Sequence, residues 1–316
     1  VSDILLTFVG LFLLLVAGEG LVRGAVTVAR SLRVSELVIG LTLVGAMTSA
    51  PELMVSVSAA IEGVPDMALG NVVGSNITNL LLVVGVAALL RPLDVTRSLL
   101  LHDGVINFTA AALLAGLAVH GTIERWHGAV LVLCLLWYLW QTYRREKPQH
   151  RQSLHEKEAR DLERPKMPVW LAVLLTIGGV AGLVIGAALL VKGGTGLARS
   201  LGVSEAVIGL SLIALGTSLP ELATSMIAAW RGHTQVALGN VFGSCIFNTL
   251  GIVGIAAGAV PLPVAAELAG RDVWVMVAVS ALVPLSMAVG GPIGRGRGAL
   301  YLAAYGVYVW VLFSGS

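Results

Sequence analysis

Apolar residues along the chain gather in long blocks separated by short polar ones. Runs near 4–28, 36–61, 67–90, 98–119 and 126–143 are followed by a second set near 169–193, 205–230, 236–259, 271–290 and 298–314. Each is long enough to cross about 30 Å of hydrocarbon as a helix. The pattern predicts an all-α polytopic membrane protein of ten transmembrane helices, five in residues 1–143 and five in 168–316. Between them, 144–167 carries Pro148, Pro165 and dense charge of both signs, and reads as a solvated connector too short to hold a domain. The first run, from Ile4 to Ala17, has no basic stretch before it and continues into the general pattern. It is read as a spanning helix, not a cleaved leader.

Two phrases interrupt the apolar pattern, and each occurs twice. Gly45-Ala-Met-Thr-Ser-Ala-Pro-Glu52 returns as Ala214-Leu-Gly-Thr-Ser-Leu-Pro-Glu221, 169 residues later. Gly70-Asn-Val-Val-Gly-Ser-Asn-Ile-Thr-Asn79 returns at the same offset as Gly239-Asn-Val-Phe-Gly-Ser-Cys-Ile-Phe-Asn248. The spans 45–79 and 214–248 therefore hold one motif in two copies. Laid together without gaps, 22–85 and 191–254 agree at about half of their positions, which marks a duplicated unit. Five helices per unit is an odd number, so the second copy must enter the membrane in the opposite sense. That is the inverted-topology repeat common among secondary transporters.

Lysine and arginine placement orients the chain. With the first helix starting outside, one side receives Arg23, Arg30, Arg33, Arg91, Arg97, the eight basic residues of the connector, Arg231, Arg295 and Arg297. The other receives Arg125, Lys192, Arg199 and Arg271. The positive-inside bias then places the connector in the cytoplasm and both termini outside a cell (plasma or inner) membrane.

Composition narrows the function. At 57% hydrophobic, 12% charged and a mean hydropathy of +0.90, the chain is not a soluble domain. A net charge of +2 with scattered basic residues excludes a nucleic-acid partner, and no protein partner is evident. Cys134 and Cys245 lie in apolar runs without a CxxC or a histidine partner and read as packing residues. No nucleophile–base pair and no HExxH motif is present, so an enzyme is not expected, and no cofactor is called for.

An acid at mid-membrane costs several kcal/mol even on lenient insertion scales, so Glu52 and Glu221 mark a polar site. Thr48 and Ser49 precede Glu52 by four and three residues and share its helix face. Pro51 lacks an N–H and crowds the carbonyl of Met47, freeing main-chain oxygens near Gly45; Pro220 does the same after Ala214. Asn71, Ser75 and Asn79 form a polar stripe, with Gly70 and Gly74 allowing close helix approach. The pocket so predicted is lined by Thr48, Ser49, Glu52, Ser75, Asn79, Thr217, Ser218, Glu221, Ser244 and Asn248. It offers oxygens and amides without lysine, arginine, imidazole or thiolate, a donor set for a hard cation such as Ca²⁺ or Na⁺.

These doubled phrases resemble the repeats of the calcium/cation antiporter superfamily, and most nearly its prokaryotic sodium/calcium exchangers. The resemblance implies an antiporter whose transported ions are Ca²⁺ and Na⁺. It also implies adjacent sites for three Na⁺ and one Ca²⁺ formed by those ten residues with the carbonyls of Gly45 and Ala214, and alternating access by sliding of helices one and six. Two positions depart from the pattern. Asn248 stands where archaeal sodium/calcium exchangers carry Asp, while related cation/proton exchangers carry amides in both copies, which leaves H⁺ as an alternative coupling ion. Met47 stands where the second copy has Gly216. The short connector also leaves no room for the calcium-sensing domains of animal exchangers.

Other polar residues read as structural. Ser35 and Ser204 suit helix N-caps with Glu36 and Glu205 in the first turn. Glu19 is placed to pair with Arg23, and its counterpart Ala188 keeps it out of any symmetric site. His102 and Asp103 are expected to snorkel to the cytoplasmic surface, and His150 and His155 to be solvated.

Overall fold

The computed structural model describes residues 2–32, 34–157, 167–201 and 214–314. The chain is nearly all helix. Among the described residues the only strands are Thr122–Ile123 and Leu262–Pro263, paired antiparallel with Thr122 opposite Pro263. Also among the described residues, six helical spans are long and apolar enough to cross a membrane: Asp3–Leu32, Pro65–Leu90, Leu99–Val119, Val169–Ser200, Thr234–Ala259 and Leu268–Val289. Glu36–Thr48 and Ala50–Ile61 make a seventh if taken as one span bent by 45°. Helices Arg125–Lys157, Leu219–Arg231 and Arg295–Ser314 occupy the remaining apolar blocks.

Pro65–Leu90 and Thr234–Ala259 form the centre, and every residue from Val236 to Ile246 is buried. Around them, exposed Phe8, Phe12, Trp170 and Leu174 give Ser2–Leu32 and Val169–Ser200 an apolar outer face suited to lipid. These two long helices meet backbone to backbone. A Cβ on Gly24 would lie 2.5 Å from Thr176 Oγ1, and one on Gly179 only 2.7 Å from the Leu21 nitrogen. Only glycine permits so close an approach, as in the small-residue interfaces of membrane helices.

Single π-helical turns recur at matched places. Asn79–Val83 is answered by Phe247–Ile252, and Leu99–Gly104 by Leu268–Asp272. Such turns shift the side chains that follow onto a new face and often mark functional segments.

Helix Arg125–Lys157 continues past its apolar block into the stretch read as connector. The structure corrects one expectation. His102 and Asp103 do not snorkel. Asp103 is 2% exposed, 3.0 Å from His102 Nδ1, and accepts a 3.1 Å bond from the Tyr138 hydroxyl. The π turn Leu99–Gly104 carries the pair inward, and polar partners make that burial tolerable. At the matched positions, Arg271 and Asp272 pair at 3.0 Å.

Other expectations hold. Ser35 Oγ caps its helix by accepting from the Val38 nitrogen, with Glu36 in the first turn. Glu36 also pairs with His233 at 2.9 Å. Glu19 pairs with Arg23 and, unforeseen, with Arg231 at 2.7 Å. Ser204 and Glu205, and the side chains of His150 and His155, lie outside the described residues.

Neighbouring glycines in one helix test the close approach. Gly179→Leu should destabilise the protein by about 1–3 kcal/mol through overpacking, seen as a lowered midpoint of thermal unfolding in detergent. Gly178→Leu, at an exposed position with nothing within 4 Å of its Cβ, should leave the midpoint unchanged.

Candidate cation site

Each glutamate stands at the start of a helix that begins again inside the membrane-length segment. The first copy breaks at Ser49 (φ −80°, ψ 8°), after which Ala50–Ile61 starts with Pro51 in its first turn. The second breaks in the same way at Ser218 (φ −84°, ψ 1°) before Leu219–Arg231 and Pro220. Proline is suited to a first turn, where no N–H is needed, and unsuited to the helix interior. The break therefore follows from its position in both phrases. Glu52 and Glu221 sit in the first turns so created, where unsatisfied N–H groups favour negative charge.

Matching asparagines hold these segments in place. Asn240 donates from Nδ2 to Ser225 Oγ at 2.9 Å and to the Glu221 carbonyl at 3.3 Å, while its Oδ1 accepts from Thr48 Oγ1 at 2.9 Å. Asn71 does the same in the other copy. It donates to Ser56 Oγ at 2.9 Å and to the Glu52 carbonyl at 3.3 Å, and accepts from Thr217 Oγ1 at 3.4 Å. Each asparagine thus ties its own copy's glutamate helix to the threonine of the opposite copy. Both amides use donor and acceptor ends, as buried amides require.

Around this frame the expected residues converge in part. Ser49 Oγ donates to Glu221 Oε1 at 3.0 Å across the two copies. Ser244 Oγ lies 3.4 Å from Glu221 Oε1 and 3.4 Å from Thr48 Oγ1, and donates to the Gly45 carbonyl at 3.2 Å. The Gly45 carbonyl also accepts from the Ser49 nitrogen and from Thr48 Oγ1, so it is not free here. Ala214 opens the helical turn Ala214–Gly216. Ser75 is buried one turn before Asn79. The glycines of the second stripe pack as expected, with a Cβ on Gly243 only 2.3 Å from the Leu41 carbonyl oxygen. The matching neighbours of Gly70 and Gly74 would be residues 206–210, outside the described ones.

What these residues leave over is more telling than what they bond. Glu52 and Glu221 are both fully buried. Among the described residues, both carboxylate oxygens of Glu52, Glu221 Oε2, Ser218 Oγ, both amide atoms of Asn79 and Asn248 Oδ1 have no hydrogen-bond partner. No lysine, arginine or histidine pairs with either glutamate in the ion pairs of the described residues. Buried charge without a partner is costly, and a cation among these oxygens removes that cost. The donors gathered here are hydroxyl, amide and carboxylate oxygens, a set suited to a hard cation.

The sequence reading missed Ser56, Ser225, Asn76 and Thr249 as parts of the polar frame. Ser56 and Ser225 were findable. Each follows its glutamate by four residues at matched positions of the duplicated unit, hence on the same helix face.

Comparison with known proteins places the whole chain. The family model described as "Sodium/calcium exchanger protein" matches residues 2–144 and 171–314. The sodium/calcium exchanger MaX1 of Methanosarcina acetivorans is 33% identical, over 98% of this chain and 98% of its own. CaxA of Alkalimonas amylolytica is 39% identical, over 97% of each chain. A solved structure of the sodium-calcium exchanger NCX_Mj, soaked with Na⁺ and Ca²⁺, superposes with a TM-score of 0.84 at 30% identity, over 98% of both chains.

The asparagine frame makes its own prediction. Asn240→Ala removes three buried bonds at once, so stability should fall by about 1–3 kcal/mol. Ser225→Ala, which removes the bond from Asn240 and a longer one to the Ala237 carbonyl, should cost about 1 kcal/mol. Denaturation of the two purified variants in parallel gives the comparison.

Proposed function

The chain belongs to the sodium/calcium exchanger protein family, and from that premise we propose that it is a secondary antiporter that moves Ca²⁺ across the membrane in exchange for Na⁺. In this reading it has ten spanning helices in two inverted five-helix repeats, both termini outside and the connector in the cytoplasm. Glu52 and Glu221 bind both ions by turns, joined by Thr48, Ser49, Ser75, Asn79, Thr217, Ser218, Ser244, Asn248 and the carbonyls of Gly45 and Ala214.

One observation carries the reading: two fully buried glutamates offer three unpartnered oxygens with no basic residue paired to them. Two carboxylates neutralise one Ca²⁺, and hydroxyl and amide oxygens complete the six to eight ligands such an ion takes, roughly 2.3–2.6 Å away. Na⁺ uses the same oxygens. If three Na⁺ replace one Ca²⁺, the loaded site changes from neutral to one net positive charge. Transport is then driven by membrane potential at about 2.3 kcal/mol per 100 mV. A pore could use similar ligands, but no pore moves Ca²⁺ against its gradient.

A second reading, Ca²⁺/H⁺ exchange, is favoured by the amides Asn79 and Asn248 standing in both copies. The two carboxylates would then carry protons at the same place, in the direction opposite to Ca²⁺.

The test is ⁴⁵Ca²⁺ uptake into proteoliposomes loaded with Na⁺, against choline-loaded vesicles and vesicles with an acid interior. Uptake that needs internal Na⁺ is expected. Uptake that follows only the pH gradient would assign the proton-coupled reading. Glu52→Gln and Glu221→Gln should each reduce uptake to background while the purified protein stays folded, and normal flux in either variant would overturn the site.

A further inference from the structure

Asn248 is an amide, and an amide offers a cation an oxygen at one end and a repelling N–H₂ at the other. A carboxylate, with oxygen at both ends, needs no such orientation. If Asn248 is an ion ligand, as proposed above, something has to choose its direction.

The neighbours of Asn76 make that choice. Asn76 is 1% exposed, and its Nδ2 lies 2.7 Å from Thr249 Oγ1, 3.4 Å from the Cys245 carbonyl and 3.5 Å from the Met276 sulfur. A carbonyl oxygen and a thioether sulfur only accept, so this end of the Asn76 amide must be its N–H₂. Its oxygen therefore faces the other way, 3.2 Å from Asn248 Nδ2. An oxygen without a proton only accepts, so Asn248 must present its own nitrogen to Asn76. The orientation thus rests on acceptor-only atoms and not on telling oxygen from nitrogen in an amide. Asn248 Oδ1 is what remains, buried and without a partner among the described residues. It lies one helical turn beyond Ser244, whose hydroxyl approaches Glu221.

We infer that Asn76 is a positioning residue for cation binding: it takes the nitrogen of Asn248 and thereby leaves that side chain's oxygen for the ion. The device exists in one copy only. The place matched to Asn76 in the second copy is Cys245, whose thiol donates to the Asn76 carbonyl at 3.9 Å. Asn79, the counterpart of Asn248, has neither amide atom partnered. The two amide ligands are therefore unequal: a neighbouring amide fixes Asn248 as an acceptor, and none does so for Asn79 among the described residues.

The test uses the full-length protein, purified in detergent and reconstituted. Asn76→Leu should raise the apparent KM for Ca²⁺ in ⁴⁵Ca²⁺ uptake by about tenfold, the equivalent of one ligand interaction of 1.4 kcal/mol, with kcat little changed. In the Asn248→Asp background the same substitution should no longer raise KM, because a carboxylate needs no orienting. Asn76→Ser is the substitute if the leucine variant does not fold. An unmoved KM in the folded variant, or a KM rise of equal size in the Asn248→Asp background, overturns the positioning role. Stabilisation of the detergent-solubilised wild type by Ca²⁺, followed by thermal unfolding, separates the two proposals. A wild type that is not stabilised and takes up no Ca²⁺ overturns the transport reading itself, and this inference with it.

Discussion

Two carboxylates held deep in an apolar body with no positive side chain beside them set the terms for the rest of the molecule. Among the described residues, that charge is eased by the N–H groups of the helix turns in which the two stand and, for Glu221, by the hydroxyls of Ser49 and Ser244. The prolines follow from this constraint, since a helix can start at mid-membrane only where the freed backbone groups find other partners. Back-bonding by Thr48 to the Val44 and Gly45 carbonyls supplies some of them. The asparagines follow as well. A first turn carrying an uncompensated charge keeps its geometry only if something rigid grips it, and both glutamate carbonyls are gripped by an amide.

The grip reaches across the duplication. Thr48 of the first copy rests on Asn240 of the second, and Thr217 of the second on Asn71 of the first. Neither half can therefore shape its own share of the pocket alone, which is a physical reason for two copies to be kept in register at a constant offset of 169 residues. Symmetry ends where the two sequences diverge. Asn76 against Cys245, and His102 with Asp103 against Arg271 with Asp272, put different chemistry at matched places. A duplicated frame with unequal details is what a site needs if it is to take unlike ions by turns.

Much of this was legible in the sequence. The apolar blocks, the duplicated unit and the breaks before Pro51 and Pro220 all follow from period, offset and proline chemistry. Three things were not legible, each for a reason. Which copy's threonine meets which copy's asparagine depends on helix crossing, and no linear spacing encodes that. His102 and Asp103 near the end of a spanning block look like surface residues until Tyr138, 35 positions on, supplies the buried partner. The second arginine of Glu19 comes from 212 residues away, beyond any rule for pairs within a helix. In each case composition shows that a polar group needs a partner, but only the fold supplies it.

The two kinds of interface also divide the molecule mechanically. At the site, the copies are joined by directional hydrogen bonds of about 3 Å between buried side chains, Thr48 to Asn240 and Ser49 to Glu221. Between Ser2–Leu32 and Val169–Ser200, the meeting surface is glycine and alanine against backbone. The hydroxyls of Thr7 and Thr176 are turned back to carbonyls of their own helices. Such a surface has little side-chain relief to interlock and few directional bonds to lose. Glu19, held by both Arg23 and Arg231, ties the first of these helices to Leu219–Arg231, the helix that carries Glu221.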